Sequence, residues 1–399
     1  MIFKRRRIYL DTAAATPVDS RVVKSMMPYF SKISGNPSSL HREGVLAGKG
    51  LAFARQKISE LLKAHSDEII FTSGGTEGDN LAILGTAHGL LSSHKIAKPG
   101  HIITSSIEHQ AVLEACRMLE KEGWEVSYLP VSVDGLVDLT ELEKSLRPET
   151  VLVSIIYANN EIGTIQPIRE IAKILRDFRK KNNDLRLPYF HTDACQAPRF
   201  LSLSVEKLGV DLLTINGSKI YGPKGVGCLF VKRNTFLAPI LFGGGQERGL
   251  RSGTENVAGA VGLATALELV LDSQEKDNEK IRVVQAYFID QLVSLANVFI
   301  NGVVGDNRLP NNINVTFPGV LAEWLVISLD AKGIACSAGS ACSTHHRDDS
   351  HVIMSLGRDR DYADSTIRFS LDKLTTKKDI DYVISCLKSI LAQSKKLIA

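Results

Sequence analysis

The sequence has no run that is both long and apolar enough to suggest a bilayer span. Its most apolar stretch, residues 257–271, is short, rich in small residues and interrupted by Glu268, whereas a spanning helix needs about 20 apolar residues. No secretory leader is legible either: Lys4, Arg5, Arg6 and Arg7 are followed by Ile8-Tyr9-Leu10 and then at once by Asp11, so no apolar core develops. A cytoplasmic protein without a membrane partner is expected. The six cysteines are scattered and never spaced as CxxC, which argues against a disulfide framework and a zinc ribbon. Excess charge is missing as well, with 48 basic residues against 44 acidic ones. The N-terminal basic run has no interleaved aromatic residue and reads as a solvated edge, so direct nucleic-acid binding is not expected.

What is present is an ordinary globular composition, 44% hydrophobic and 23% charged over 399 residues. That length predicts two or three domains, or one large domain with a satellite. There is no convincing internal repeat or low-complexity tract. Strand-like runs alternate with amphipathic helical ones: residues 68–72 then 76–91, 101–105 then 109–122, 151–157 then 168–181. Further strand-like runs at 189–192, 212–215 and 227–231 extend the series, and apolar strands such as 151–156 suit a mostly parallel sheet covered on both faces. Beyond a Gly-rich loop at 242–245, a long helical pattern begins near Val257. It is followed by strands at 312–317 and 366–371, a helix at 322–331 and a closing helix from Lys377, which together make a smaller α+β unit.

In a parallel sheet, ligands gather at strand ends, so the residues that follow each strand carry the chemistry. Thr72-Ser73-Gly74-Gly75-Thr76-Glu77 joins a strand to a helix and offers backbone N–H groups, a hydroxyl and a helix N-terminus to a phosphate. A capped glycine turn explains the same residues. Lys219, at the end of the strand-like 212–215 segment, is placed for Schiff-base chemistry if burial lowers its pKa, or is an exposed loop lysine. Asp193 brings an anion to the same edge, where it could hold a pyridinium proton or cap a helix. His109 opens a helix, where it could stack on an aromatic cofactor or serve only as a cap. Cys342 lies in a run of small residues ahead of His345, His346, Arg347, Asp348, Asp349 and His351. An accessible, reactive thiol on a mobile loop is expected there. Cys116 and Cys386 read as core residues, and Cys336 as a resolving or bystander thiol. The His/Asp cluster has no recognised zinc spacing, so no metal is expected.

In this order the motifs resemble those of the pyridoxal-phosphate-dependent cysteine desulfurases of the aminotransferase class V group, iron–sulfur-assembly type. The resemblance runs nearly the whole length. It passes through Gly35-Asn36-Pro37-Ser38, Ser73-Gly74-Gly75-Thr76-Glu77, Asn159-Asn160-Glu161-Ile162-Gly163, Lys219-Ile220-Tyr221-Gly222-Pro223-Lys224-Gly225 and Arg251-Ser252-Gly253-Thr254 to Gly339-Ser340-Ala341-Cys342 and Ser365-Thr366-Ile367-Arg368-Phe369-Ser370. It implies an α/β fold: an aminotransferase-like large domain (PLP fold type I) with a mostly parallel seven-stranded sheet over residues 16–257. A smaller α+β domain would comprise residues 1–15 and 258–399, with a mobile cysteine loop at about 336–351.

For the site, the resemblance implies pyridoxal 5'-phosphate carried on Lys219, with Asp193 at the pyridine nitrogen, Gln196 at the phenolic oxygen and His109 stacked on the ring. Gly75, Thr76, Asn216 and Ser218 would hold the phosphate, joined by Thr254 from the second subunit of a homodimer. Arg368, Asn36 and Asn160 would grip the carboxylate of L-cysteine, a task for which guanidinium geometry is suited. Cys342 would take the sulfur as a persulfide and pass it to a scaffold or carrier protein, leaving alanine. The sulfur would serve iron–sulfur clusters or thiolated cofactors and tRNA. The chain departs from the family pattern at Ser218, where a histidine is usual before the lysine, and at Asn216 in place of serine or threonine. It departs again at Gln246 for histidine and Asp372 for glycine. A selenocysteine lyase, another class V enzyme, or a weakened paralogue acting as a sulfur-transfer partner are the alternative readings.

Overall fold

The computed structural model describes residues 7–182, 186–339 and 350–398. Among them, seven strands form one sheet in the order Ile69–Thr72, Gly227–Val231, Leu212–Asn216, Tyr189–Asp193, Thr150–Ser154, His101–Ser105 and Glu125–Leu129. Gly227–Val231 runs antiparallel to both its neighbours, and all the other pairs are parallel. The expected α/β architecture with a mostly parallel sheet is therefore present. The central strands are buried along their whole length, as expected where helices cover both faces.

Each face has its own packing. On one side, the helices Arg42–Leu62 and Ile168–Lys181 close a core around Ile58, Leu62, Val153, Ile171, Leu175 and Phe190. Ile168–Lys181 buries Ile168, Ile171, Ala172 and Leu175 and carries Arg179, Lys180 and Lys181 in its last turn, where they complement the helix dipole. On the other side, Gly75–Ser92 and Gln110–Lys121 bury Leu81, Ile83, Leu90, Val112 and Leu119 against Ile102 and Leu152.

A second, antiparallel sheet has the order Ser337–Ala338, Thr366–Ser370, Asn312–Thr316, Phe299–Asn301. Its core joins Ile313, Val315, Ile367 and Phe369 to Phe288, Ile380, Val383 and Leu387. The helix Val257–Val293 belongs to both cores: residues up to Val270 pack in the large one, and those from Ile281 onward in the small one. The long helical pattern expected from near Val257 is this helix, and the passage between cores falls within it. The stretch read from sequence as too short to span a bilayer is continued by the rest of this helix, which by length and composition alone could cross a membrane; sixteen of its residues are nevertheless buried within the fold.

The first strand, Ile8–Tyr9, pairs in parallel with Ile334–Ala335. It leads Asp11 to Thr16 across the gap between the two sheets, where Ser370 N donates to Leu10 O and Thr16 N to Ser218 O. This crossing segment is one wall of the site.

Candidate active site

The ends of the parallel strands and the Asp11–Thr16 crossing enclose a cleft of about 160 Å³. Its walls are Ala13, Ala14, Gly75, Thr76, Asp79, His109, Ile156, Asn160, Asp193, Cys195, Gln196, Asn216, Lys219 and Arg368. Nine of the residues expected from the sequence therefore meet in one place: Gly75, Thr76, His109, Asn160, Asp193, Gln196, Asn216, Lys219 and Arg368.

Lys219 ends a single 3₁₀ turn, Gly217–Lys219, that follows the strand Leu212–Asn216. Its Nζ donates to Ala14 O at 2.5 Å, which holds the amine over the cleft. Two residues later Tyr221 lies at φ 59°, in the left-handed region where a bulky side chain is rare. Its amide donates to Thr16 Oγ1 at 2.7 Å, and that hydroxyl donates to Ser218 O at 3.1 Å. The turn carrying the lysine is thus stitched to the crossing segment.

Asp193 is the last residue of its strand and is buried. Its Oδ1 accepts from Cys195 N at 2.8 Å, so it caps the following turn as well as facing the cleft. Gln196 Nε2 donates to Ala13 O at 3.0 Å. His109 also has two duties: its Nδ1 accepts from Ala111 N at 3.1 Å, capping the helix Gln110–Lys121, while the ring lines the cleft. At these residues the capping and the cleft-facing readings are both realised.

The glycine turn opens the helix Gly75–Ser92 with its N-terminus toward the cleft. Gly75 admits no side chain, because a Cβ there would come within 2.7 Å of Cys195 Sγ. Asn216 Oδ1 accepts from both Ser218 N at 3.2 Å and Ser218 Oγ at 3.3 Å. Ser218 is thereby placed behind Asn216 and is not among the residues lining the cleft. Backbone N–H groups, the Thr76 hydroxyl and the Asn216 amide make a neutral, donor-rich cup suited to phosphate.

At the other end, Arg368 is almost fully buried and forms an ion pair with Asp11 at 2.9 Å. Its Nη1 donates to Asn160 O at 3.0 Å, while its Nε has no partner. The Asn160–Glu161 turn is itself held, since Asn312 Nδ2 and Asn314 Nδ2 both donate to Glu161 O.

Asn36 and Thr254 are exposed and do not line the cleft of one chain. Asn36 Oδ1 accepts from Ser38 N. The Thr254 segment is tied to the glycine-turn helix through Arg251 Nε, which donates to Glu77 Oε1 at 2.8 Å. Cys342, His345, His346, Asp348 and Asp349 lie outside the described residues. His351 is described: one ring nitrogen lies 2.8 Å from Glu108 O and the other 3.2 Å from Gln110 Nε2. Among the described residues no group of His, Cys, Asp or Glu is arranged to hold a metal. Cys116, Cys336 and Cys386 are buried and free, as are Cys195 and Cys228.

Sequence reasoning missed Asp79 and Cys195. Asp79 is four residues after Gly75 on the same helix, so helical spacing alone puts the two on one face. Its Oδ1 is buried without a hydrogen bond and lies 3.7 Å from His191 Nε2. Burial, reinforced by the charge of Asp193, lifts the Asp79 carboxyl well above the ordinary carboxylate range. Burial likewise pushes His191 down to about 4, so it is neutral, and lifts the Cys195 thiol. Asp193 is therefore backed by neutral groups at the end of its strand. A small aromatic phosphate fits the set: an amine for a carbonyl, an acid at one end and a phosphate cup at the other.

The aminotransferase class-V family model matches residues 8–383. The chain is 44% identical to a cysteine desulfurase, IscS, of Dictyoglomus turgidum, over 98% of this chain and 96% of that protein. It is 42% identical to IscS of Methanosarcina thermophila, over 99% and 94%. Among solved structures, a NifS-like protein matches with a TM-score of 0.88 at 36% identity, covering 97% of this chain and all of that one. A structure described as SspA in complex with cysteine matches with a TM-score of 0.77 at 35% identity, over 92% of this chain and 100% of that one.

Proposed function

The chain belongs to the aminotransferase class-V family and, within it, to the cysteine desulfurases; from that premise we propose that it converts L-cysteine to L-alanine and carries the sulfur away as a persulfide on Cys342. The observation that carries this reading is the meeting of Lys219, Asp193, His109 and Arg368 around one cleft.

Pyridoxal 5'-phosphate, when bound, supplies an electron sink for the α-carbon. Gly75, Thr76 and Asn216 would hold its phosphate, Asp193 would meet the ring nitrogen, Gln196 the phenolic oxygen, and His109 would stack on the ring. Lys219 would be its attachment point, and its amine, held over the cleft by Ala14 O, would be the base best placed to move the α-proton. Arg368, kept ready by Asp11 and Asn160 O, grips the substrate carboxylate.

The Cys342 thiolate attacks the substrate sulfur. A sulfur–sulfur bond forms, the carbon–sulfur bond breaks, and the departing electron pair stays with the amino-acid carbon skeleton. Protonation there gives alanine. One thiol and one cysteine thus become one persulfide and one alanine, with no outside oxidant. The persulfide is passed on to an acceptor protein for iron–sulfur clusters or thiolated products. The active unit is a cytoplasmic homodimer, in which Thr254, which does not line its own cleft, serves the paired site.

The test is release of alanine and sulfide from L-cysteine with a reductant, using cofactor-loaded protein beside Cys342→Ala. Equal amounts of both products, abolished in the variant, support the reading. Turnover that survives in Cys342→Ala sinks the persulfide step.

A further inference from the structure

Behind the cleft, the hydroxyl of Tyr221 is the point where the lysine turn meets the arginine strand. It accepts from Arg199 Nη2 at 2.8 Å and donates to Asp372 Oδ2 at 2.8 Å. The ring is held by cations as well, with the Arg199 guanidinium 4.7 Å and Lys373 Nζ 4.3 Å from its centroid. Tyr221 and Arg199 are both buried. Tyr221 follows Lys219 by two residues, and Asp372 follows Arg368 by four along the segment that continues the strand Thr366–Ser370. Asp372 is fixed in turn, since its Oδ1 accepts from Leu374 N and its amide donates to Thr375 Oγ1. This aspartate stands where the resemblance leads one to expect glycine.

A hydrogen bond from a phenol to a carboxylate is directional and charge-assisted. Here it connects the turn that carries the cofactor-attachment lysine to the segment that continues the strand of the carboxylate-binding arginine. We propose that Asp372, acting through Tyr221, is a positioning residue that sets the spacing of Arg368 from Lys219 and so the fit of α-amino acids. The inference rests on the roles given above to Lys219 and Arg368. Neither Tyr221 nor Asp372 lines the cleft, so the effect is on registry and not on contact with the substrate.

The experiment titrates cofactor-loaded protein with L-alanine and, separately, with ethylamine, which lacks the carboxylate, following the visible absorbance. L-cysteine turnover is measured alongside. Tyr221→Phe and Asp372→Ala are expected to weaken alanine binding and raise KM at least about fivefold, the scale of one lost charge-assisted bond. Ethylamine binding and kcat should stay near the parent values. Asp372→Asn still offers an acceptor and should retain most of the affinity, and the double variant should be no weaker than Asp372→Ala. If Tyr221→Phe does not fold, the contrast between Asp372→Ala and Asp372→Asn decides. Unchanged alanine affinity in the variants, or equal losses for alanine and ethylamine, overturns the brace while leaving the desulfurase reading intact. A parent protein that neither consumes cysteine nor responds to alanine overturns both.

Discussion

A Cβ on Gly75 would lie 2.7 Å from Cys195 Sγ, so the glycine turn and the residue two places after Asp193 are fitted to each other with no room to spare. Gly75→Ala must displace a buried sulfur or bend the helix start. It should cost about 1–3 kcal/mol of stability, the range for overpacking, and weaken cofactor binding by moving the N–H groups of the cup. Cys195→Ala removes the obstructing atom. The double variant should therefore recover most of the loss, measured by thermal unfolding and by cofactor titration. If Cys195→Ala gives no rescue, the clash is not what excludes a side chain at residue 75.

Glu108 supplies a pH dependence. Its Oε1 accepts from Ser105 Oγ and Ile156 N, its Oε2 is buried without a partner, and burial pushes its pKa up to about 8. A carboxyl raised in the fold binds a proton more tightly folded than unfolded. Its contribution is therefore full below the unfolded value, near 4.5, and is lost as pH rises through about 8. The slope in that window is at most about 1.4 kcal/mol per pH unit. Glu108→Gln mimics the protonated form and should flatten the stability profile across this window. A profile identical to the parent's would mean that Glu108 titrates as it does in the unfolded chain.

Much of this arrangement is legible in the sequence, for a physical reason. Strands buried on both faces read as apolar runs and a one-faced helix as a 3.6-residue repeat, so His101–Ser105, Gly227–Val231 and the helix Ile168–Lys181 fall where the pattern puts them. Glu125–Leu129 is different. As an edge strand it is only partly buried, its pattern is weak, and nothing local marks it as the seventh strand. Cleft residues that follow strands were readable because chemistry gathers at strand ends. Asp79, inside a helix, and the carbonyls of Ala13 and Ala14 were not. Those carbonyls hold Gln196 and Lys219 across more than 180 residues, and no sequence motif reports a main-chain oxygen brought close by topology.

The pair of Arg368 and Asp11 gives a prediction about cost. Arg368 is almost wholly buried, so removing its counter-ion leaves a cation without solvent. Asp11→Ala should destabilise the protein by about 3–5 kcal/mol. An amino-acid carboxylate arriving at Arg368 replaces the missing charge. L-alanine should accordingly raise the melting temperature of loaded Asp11→Ala more than that of the loaded parent. Equal shifts would show that Arg368 does not meet the carboxylate.

Asn216 tests how the cup works without the usual histidine beside the lysine. Its Oδ1 is occupied by the Ser218 amide and hydroxyl, which leaves the Nδ2 group as the donor for a phosphate. Asn216→Ala loses that donor and the anchor of Ser218, and should weaken pyridoxal 5'-phosphate binding by about tenfold, the value of a hydrogen bond to a charged group. Asn216→Asp keeps the acceptor for Ser218 but sets an anion beside an anion. Its loss should exceed that of the alanine variant and should shrink as pH falls and the new carboxylate is protonated. Fluorescence titration of the cofactor-free proteins between pH 5.5 and 8 reads both effects. An aspartate variant that binds as well as the alanine variant across that range would place the phosphate elsewhere in the cleft.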